Sequence, residues 1–317
     1  KGLAIPLPIA TGAIVSGSFF GDKMSPLSDT TNLAPAVAGS DLFEHIKHMF
    51  YTVTPALVLS LVIYGVIGWQ YQVTNLDSGK LNSILAGLEQ HFHLGPTLLL
   101  PMVVVIVLAL NKQPALPVLV VSSLLGGILG IIFQGASWED VLVVMHQGYQ
   151  SSTGIKAIDQ LLSRGGMQSM LWSISLVILT LSLGGMLDKF DFLDVILNHL
   201  SQLLTNQGRL VLTTVLTCLG VNVLLADQYL SIMLPGQMYS KAYQQFNLAP
   251  KNLSRVLEDS GTLFNPLVPW GLSGSFIAGT LSISVVEYAP YSFLCLLTPL
   301  ISILYGYTGF TMEKIKE

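Results

Sequence analysis

The stretch YTVTPALVLSLVIYGVIGWQY, residues 51–71, contains no charged side chain. A helix of this length can cross the hydrocarbon core of a bilayer, which needs about 20 apolar residues. Five other apolar stretches have comparable lengths, and two more are rich in Gly, Pro and Ser and are predicted to be irregular. We therefore expect about eight membrane-embedded segments, at residues 51–71, 94–111, 115–134, 167–187, 209–226 and 290–309, with the irregular ones at 3–20 and 266–286.

The composition supports a membrane protein. Of 317 residues, 51% are hydrophobic and only 10% are charged, whereas soluble domains carry about 25% charged residues. The predicted fold class is an all-α, polytopic membrane helical bundle with broken or re-entrant helices. The net charge of −4 provides no basic field for binding nucleic acid.

Three amphipathic stretches connect the predicted spans, at residues 40–50, 79–92 and 191–204. Each has apolar residues at helical spacing, so each is predicted to lie along the membrane interface. No soluble domain is left between the spans, and residues 1–317 are predicted to form a single transmembrane domain. Since the chain begins at Lys1 inside an apolar run, we expect it to be the C-terminal part of a longer membrane protein whose first helices precede it.

The first polar stretch is GDKMSPLSDTTNLAP, residues 21–35. Pro26 removes a backbone donor and pushes the residue before it away from helical geometry, so the backbone is predicted to unwind here. Hard cations prefer oxygen ligands, and transporters bind Na⁺ or H⁺ at breaks in helices. The alternative is a solvated loop. The candidate ion-binding residues are Asp22, Ser25, Ser28, Asp29, Thr30, Thr31 and Asn32.

The second stretch is VLLADQYLSIMLPG, residues 223–236. Asp227 lies within an otherwise uncharged apolar region, and charges inside membranes usually mark ion or proton pathways. Asn222 and Asp227 would point about 140° apart on an unbroken helix, so they converge only if the helix is interrupted. The alternative is a residue at the end of a span that faces the headgroups.

The third stretch is LEDSGTLFNPLVPWGLSGS, residues 257–275. It offers Glu258, Asp259 and Asn265 as ion-binding candidates, and its prolines again break the helix. Solvation at a membrane face is the alternative for the two adjacent carboxylates. Residues 25–27 and 265–267 share a Ser/Asn-Pro-Leu pattern, and two interrupted segments in opposite halves are typical of inverted-repeat transporters.

Three further side chains have two interpretations each. Lys23 either pairs with a carboxylate when no ion is bound or extends toward the headgroups. His45 and His48 share a helix face but have no third ligand, so a metal site is not predicted; they are candidates for tuning a pH response.

Several motifs resemble one family. FFGDKMSPLSDTTNLAPAVAGSDLFEHIKHM (19–49), LADQYLSIMLPGQMY (225–239) and PKNLSRVLEDSG (250–261) look like the NhaC family of bacterial Na⁺/H⁺ antiporters, which includes sodium-coupled malate/lactate antiporters. The resemblance implies an inverted-repeat fold with re-entrant hairpins. Asn265 and Gly271 depart from the family pattern near the proposed site, which bears on the substrate. The acidic positions that carry over are Asp22, Asp29, Asp227, Glu258 and Asp259.

The predicted function is exchange of Na⁺ for H⁺ across the bacterial inner membrane by alternating access. Burial disfavours the charged form of a carboxylate, so Na⁺ and H⁺ would compete for the same acid, and no cofactor is expected. A homo-oligomer is compatible with these features, and the sequence leaves the oligomeric state open. The predicted Na⁺ ligands are Asp22, Asp29, Asp227 and Asp259.

Other functions remain alternatives. Na⁺-coupled malate/lactate exchange would need an anion site, for which Lys23 and the Gly-rich residues 271–279 are candidates. An intramembrane aspartyl protease is disfavoured, because the residues before Asp22 do not fit the paired motifs of those enzymes. A passive channel is disfavoured because no filter or ring of charges is visible.

Overall fold

The fold is taken from a computed structural model that describes residues 5–26, 28–71, 78–111, 113, 115–155, 158–159, 162–163, 165–189 and 204–315. These residues are largely α-helical, and within them the only β-type pairing is an isolated bridge between Leu248 and Lys314. The predicted all-α class is confirmed. The α-helices are, in chain order, α1 (Leu7–Lys23), α2 (Asp29–Ala38), α3 (Leu42–Gln70), α4 (Ser78–His91), α5 (Leu100–Leu110), α6 (Ala115–Gln134), α7 (Trp138–Gln147), α8 (Met167–Lys189), α9 (Gln207–Leu225), α10 (Gln228–Gln245), α11 (Pro250–Leu257), α12 (Leu272–Leu281), α13 (Val285–Tyr288) and α14 (Phe293–Thr308).

Three helices in the described part of the chain are long and apolar enough to cross a membrane: α3, α6 and α9. Two sharply bent pairs raise this number to as many as five spans, Ile84–His91 with Pro96–Leu108 at 94° and Leu272–Leu281 with Val285–Tyr291 at 92°. The predicted spans at 51–71, 115–134 and 209–226 are therefore confirmed, as is the broken segment at 266–286. The multi-pass membrane character of the chain follows.

Two sequence predictions are wrong. Residues 3–20 were expected to be irregular, but α1 is continuous because its prolines lie at the helix start, where no backbone donor is needed. Residues 40–50 were expected to lie along the interface, but they begin α3 and pack against protein. Asp41 caps this helix by accepting hydrogen bonds from the amides of Phe43 and Glu44. The third amphipathic stretch, 191–204, lies outside the described residues except for Leu204.

The helices form two compact units. The first unit comprises Leu3–Gln72 and Trp172–Glu317, and the second comprises Val73–Leu171. In the first unit α9 packs against α10 and α14, and α2 packs against α10 and α11. Their shared core is apolar and includes Leu210, Cys218, Tyr239 and Leu257.

In the second unit, α5 packs against α6, and α6 contacts α7. A loop after α7 is organised by Asp159, which accepts hydrogen bonds from Thr153 and Ser151. These bonds, with that from Thr153 the largest contribution, hold the pKa of Asp159 below its ordinary value. The acidic residues of interest all lie in the first unit.

Candidate ion-binding site

The two backbone breaks predicted at Pro26 and within residues 257–275 are present, and the helix between Asn222 and Asp227 is also interrupted. α1 ends at Lys23 and α2 begins at Asp29, which puts Pro26 in the break. α9 ends at Leu225, and Ala226 adopts a left-handed conformation with φ of 57° before α10. α11 runs into a π-helical turn, Glu258–Thr262, followed by a 3₁₀ turn, Asn265–Leu267. π-Helical turns are rare in proteins, and those that occur are often found at functional sites.

Asp259 lies in this π-turn and is 0% exposed. Its Oδ1 is 2.8 Å from Nζ of Lys23, whose side chain is equally buried. The same oxygen accepts a hydrogen bond from the Thr52 hydroxyl at 3.1 Å, and Oδ2 accepts one from the Ser302 hydroxyl. Asp259 therefore collects one cation and two hydroxyl groups from α1, α3 and α14.

Glu258 is the neighbouring carboxylate, and its surroundings are different. Its Oε1 accepts a hydrogen bond from the Thr30 hydroxyl at 3.2 Å, and Thr30 in turn contacts the Ser28 hydroxyl at 3.2 Å. Its Oε2 has no hydrogen-bond partner of normal geometry, and Thr262 lies beside it. Glu258 is fully buried and, within the described residues, no cation lies within 4.0 Å of it.

The carbonyl groups near Pro26 are occupied by side chains of the same segment. Thr31 donates a hydrogen bond to the carbonyl of Lys23 at 3.0 Å. The Asn32 amide donates to the carbonyls of Pro26 at 2.8 Å and Ser28 at 2.6 Å. Thr31 and Asn32 therefore stabilise the break, and these carbonyls do not need an ion as partner.

Asn265 belongs to a separate, fully buried amide cluster. Its Nδ2 donates to Oδ1 of Asn222 at 2.8 Å, and Asn222 donates to the Gly261 carbonyl at 2.8 Å. The Oδ1 of Asn265 accepts the Ser273 amide at 2.9 Å. The two asparagines join the end of α9, the π-turn and the start of α12, so Asn222 meets Asn265 and not the Asp227 carboxylate.

The other three aspartates lie outside the buried cluster. Asp22 and Asp29 are exposed on the protein; Asp22 interacts with Ser28, and Asp29 accepts a hydrogen bond from the Tyr229 hydroxyl. Asp227 is half-buried and caps α10 by accepting the amide of Leu230 at 2.9 Å. Within the described residues, no three His, Cys, Asp or Glu side chains form a metal-binding group, so the four aspartates predicted to bind Na⁺ are not brought together.

His45 and His48 are buried where α3 packs on α11. Nδ1 of His45 lies 2.8 Å from the Ser254 hydroxyl, and Nε2 of His48 lies 3.2 Å from Oδ1 of Asn252. The interface thus orients both rings toward α11.

Sequence reasoning missed three residues around Asp259. Thr52 and Ser302 lie in apolar helices that contain other hydroxyl residues, and no pattern in the sequence sets these two apart. Arg255 is 0% exposed and lies one helical turn before Asp259. It falls within the motif PKNLSRVLEDSG, so only the motif itself could have drawn attention to it.

Comparison with known proteins identifies the family. Residues 17–310 match the Na⁺/H⁺ antiporter family. The chain is 43% identical over 316 residues to the Na⁺/H⁺ antiporter NhaC of Alkalihalophilus pseudofirmus, covering 98% of this chain and 67% of that protein. It is 37% identical to the Na⁺/H⁺ antiporter NhaC of Bacillus subtilis, covering 96% and 67%.

A third relative has a different printed activity. The malate-2H⁺/Na⁺-lactate antiporter of Bacillus subtilis is 36% identical, with 98% of this chain and 66% of that protein covered. The chain thus spans about two thirds of the length of these relatives. No solved structure matches the chain significantly. On the family match and these identities, the chain belongs to the Na⁺/H⁺ antiporter family.

Proposed function

We propose that this protein exchanges Na⁺ for H⁺, and that Asp259 is the carboxylate for which the two ions compete. The observation that carries the proposal is the buried ion pair between Lys23 Nζ and Asp259 Oδ1 at 2.8 Å. Family membership supports the exchange reaction, and the ion pair supports its location.

A buried ion pair is a poor way to stabilise a protein, because the cost of removing two charges from water often exceeds their attraction. The presence of this pair is better explained by a function that requires the two charges, such as ion binding. The Lys23 ammonium is a monovalent cation held by carboxylate oxygen, which is also the ligand type that Na⁺ uses. Lys23 therefore stands where a bound Na⁺ would stand.

Exchange follows from competition at Asp259. Na⁺ binding requires that the Lys23 ammonium move away, and the hydroxyls of Thr52 and Ser302 then remain as neutral oxygen ligands. Protonation of Asp259 removes the charge that holds Na⁺, so one carboxylate cannot carry both ions together. The protein couples the two ions without covalent chemistry.

The backbone around the site has features suited to alternating access. Lys23 is the last residue of α1, and Asp259 lies in a π-turn, so neither is fixed within a regular helix. Transporters of this type bind ions at such interruptions. We place the protein in the bacterial inner membrane, in line with its bacterial relatives.

The test is transport in proteoliposomes with a lumenal pH indicator. An outward Na⁺ gradient should drive H⁺ uptake, and an equal K⁺ or choline gradient serves as the cation control. Asp259→Asn should remove the flux, while Glu139→Gln, which neutralises an exposed acid in the second unit, should not. Wild-type protein without Na⁺-dependent H⁺ movement would refute the proposal.

A second candidate rests on the malate-2H⁺/Na⁺-lactate relative. An organic anion would need a cationic group, and Lys23, the candidate that the sequence offers, is paired with Asp259 until Na⁺ displaces it. Labelled malate uptake decides between the two functions, because Na⁺/H⁺ exchange alone gives none.

A further inference from the structure

Arg255 is the largest side chain that is completely buried in the described residues. Nη1 donates to the Thr311 hydroxyl at 2.9 Å, and Nη2 lies 3.2 Å from Sδ of Met312. Nε has no partner. Within the described part of the chain, no carboxylate lies within 4.0 Å of the guanidinium group. Arg255 is thus a buried positive charge whose direct contacts are neutral.

Burial cannot remove this charge, because arginine stays protonated in proteins. A buried charge with neutral contacts is costly unless a charge of opposite sign acts on it from nearby. The carboxylate that acts most strongly on Arg255 is Asp259, four residues further along, and residues at this spacing are neighbours on a helix. Glu313, which also acts on Arg255, is paired with Lys251 at 2.6 Å.

Asp259 therefore faces two cations with different freedom to move. Lys23 makes direct contact and has a flexible four-carbon side chain at the end of a helix. Arg255 makes no direct contact with Asp259, and its guanidinium is held by two residues of the segment that follows α14. When Na⁺ takes the place of Lys23, the charge of Arg255 stays where it is.

We propose that Arg255 sets the affinity of the site for the transported cation. Its fixed charge repels a cation at Asp259 and so weakens Na⁺ binding and speeds Na⁺ release. A transport site must bind its ion weakly enough to let it leave, and a fixed positive charge near Asp259 would meet this need. This inference rests on the proposed Na⁺/H⁺ exchange at Asp259.

The test compares Arg255→Gln with wild type in proteoliposomes, measuring the KM for Na⁺ and the maximal rate separately. Removal of a charge one helical turn from Asp259 should lower the KM for Na⁺ about tenfold. The maximal rate should also fall, because Na⁺ leaves the site more slowly. Arg255→Lys keeps the charge and should leave the KM near wild type. Arg209→Gln is the matched control, since it removes an exposed arginine in the same unit, and it should change neither value.

Two further variants separate charge from packing. Thr311→Val removes the contact to the guanidinium but keeps the charge, and should leave the KM for Na⁺ unchanged. If Arg255→Gln does not fold, Arg255→Lys and Thr311→Val still decide, because a packing role predicts a raised KM in both.

An unchanged or raised KM in folded Arg255→Gln would overturn the inference, as would a raised KM in both Arg255→Lys and Thr311→Val. Failure of the inference is distinct from failure of the proposed function. In the first case the wild type exchanges Na⁺ for H⁺ and only the pattern of the variants differs. In the second case the wild type itself shows no Na⁺-dependent H⁺ movement.

Discussion

The inner and the outer acidic residues of this protein look alike in the sequence but differ in the structure. Glu258 and Asp259 are completely buried; both accept hydrogen bonds from hydroxyl groups, and Asp259 also pairs with Lys23. Asp22 and Asp29 are exposed, and Asp227 caps a helix. All five lie beside a break in a helix, so a break alone does not identify an ion site. What distinguishes the inner pair is complete burial, and Asp259 in addition has a buried cation as partner.

The largest effect is expected on the transport rate, and it distinguishes the buried acids from the exposed ones. Asp259→Asn should lower Na⁺-dependent H⁺ exchange to the level of the K⁺ control, because the neutral amide removes the charge for which Na⁺ and H⁺ compete. Asp29→Asn should retain most of the rate, because its carboxylate contacts Tyr229 at the surface. Initial rates in proteoliposomes measure both. Equal losses in the two variants would erase the distinction.

Lys23→Met tests the inner set through stability. Without the ammonium group, Asp259 loses its direct counter-charge, so unfolding without Na⁺ should become easier by about 3–5 kcal/mol. Added Na⁺ should restore much of this loss, because it binds where the ammonium stood. Thermal unfolding in detergent, with K⁺ as the control cation, measures the effect. A variant as stable as wild type, or one that Na⁺ and K⁺ stabilise equally, would contradict the assignment.

Asn265→Ala tests the amide cluster that joins the helix breaks. Its loss leaves the Asn222 amide oxygen and the Ser273 amide without their partners, at a cost of about 1–3 kcal/mol each for buried groups. The free energy of unfolding should fall, while Na⁺/K⁺ selectivity should stay the same. A change of selectivity with full stability would instead place Asn265 in the ion site, as the sequence suggested.

The smallest effect is expected in the outer set. Asp227→Ala removes a helix cap and should cost about 1 kcal/mol, while Asp227→Ser keeps a capping oxygen and should recover most of it. Unfolding in denaturant measures both variants. Loss of Na⁺ binding in Asp227→Ser at normal stability would show that this carboxylate has a role beyond capping.

Two of the helix breaks could be predicted from the sequence, because each is caused by a proline at the break itself. Pro26 and Pro266 disrupt helices through their own rings, and both breaks are present. The continuity of the helix at Pro6 and Pro8 was harder to predict, because a proline fits the first turn of a helix and the sequence alone does not show where a helix begins. The position of residues 40–50 also depended on α11, which is distant in the sequence.

The site could be predicted only as a set of candidates. Lys23 and Asp259 lie in segments far apart in the sequence, and no periodicity indicates that they meet. The pairing of Lys23 with a carboxylate was one of two alternatives, and the structure shows the pair. Thr52, Ser302 and Arg255 carry no local pattern, because their importance comes from the helices that face them.

The most direct test of the central claim is Na⁺-triggered proton release from purified protein in weakly buffered detergent solution. If Na⁺ and H⁺ compete at Asp259, adding Na⁺ to protein at a pH where the site is partly protonated should release protons from wild type. The same addition should release almost none from Asp259→Asn, and K⁺ should have little effect on either. Equal proton release from Asp259→Asn and wild type would contradict the account.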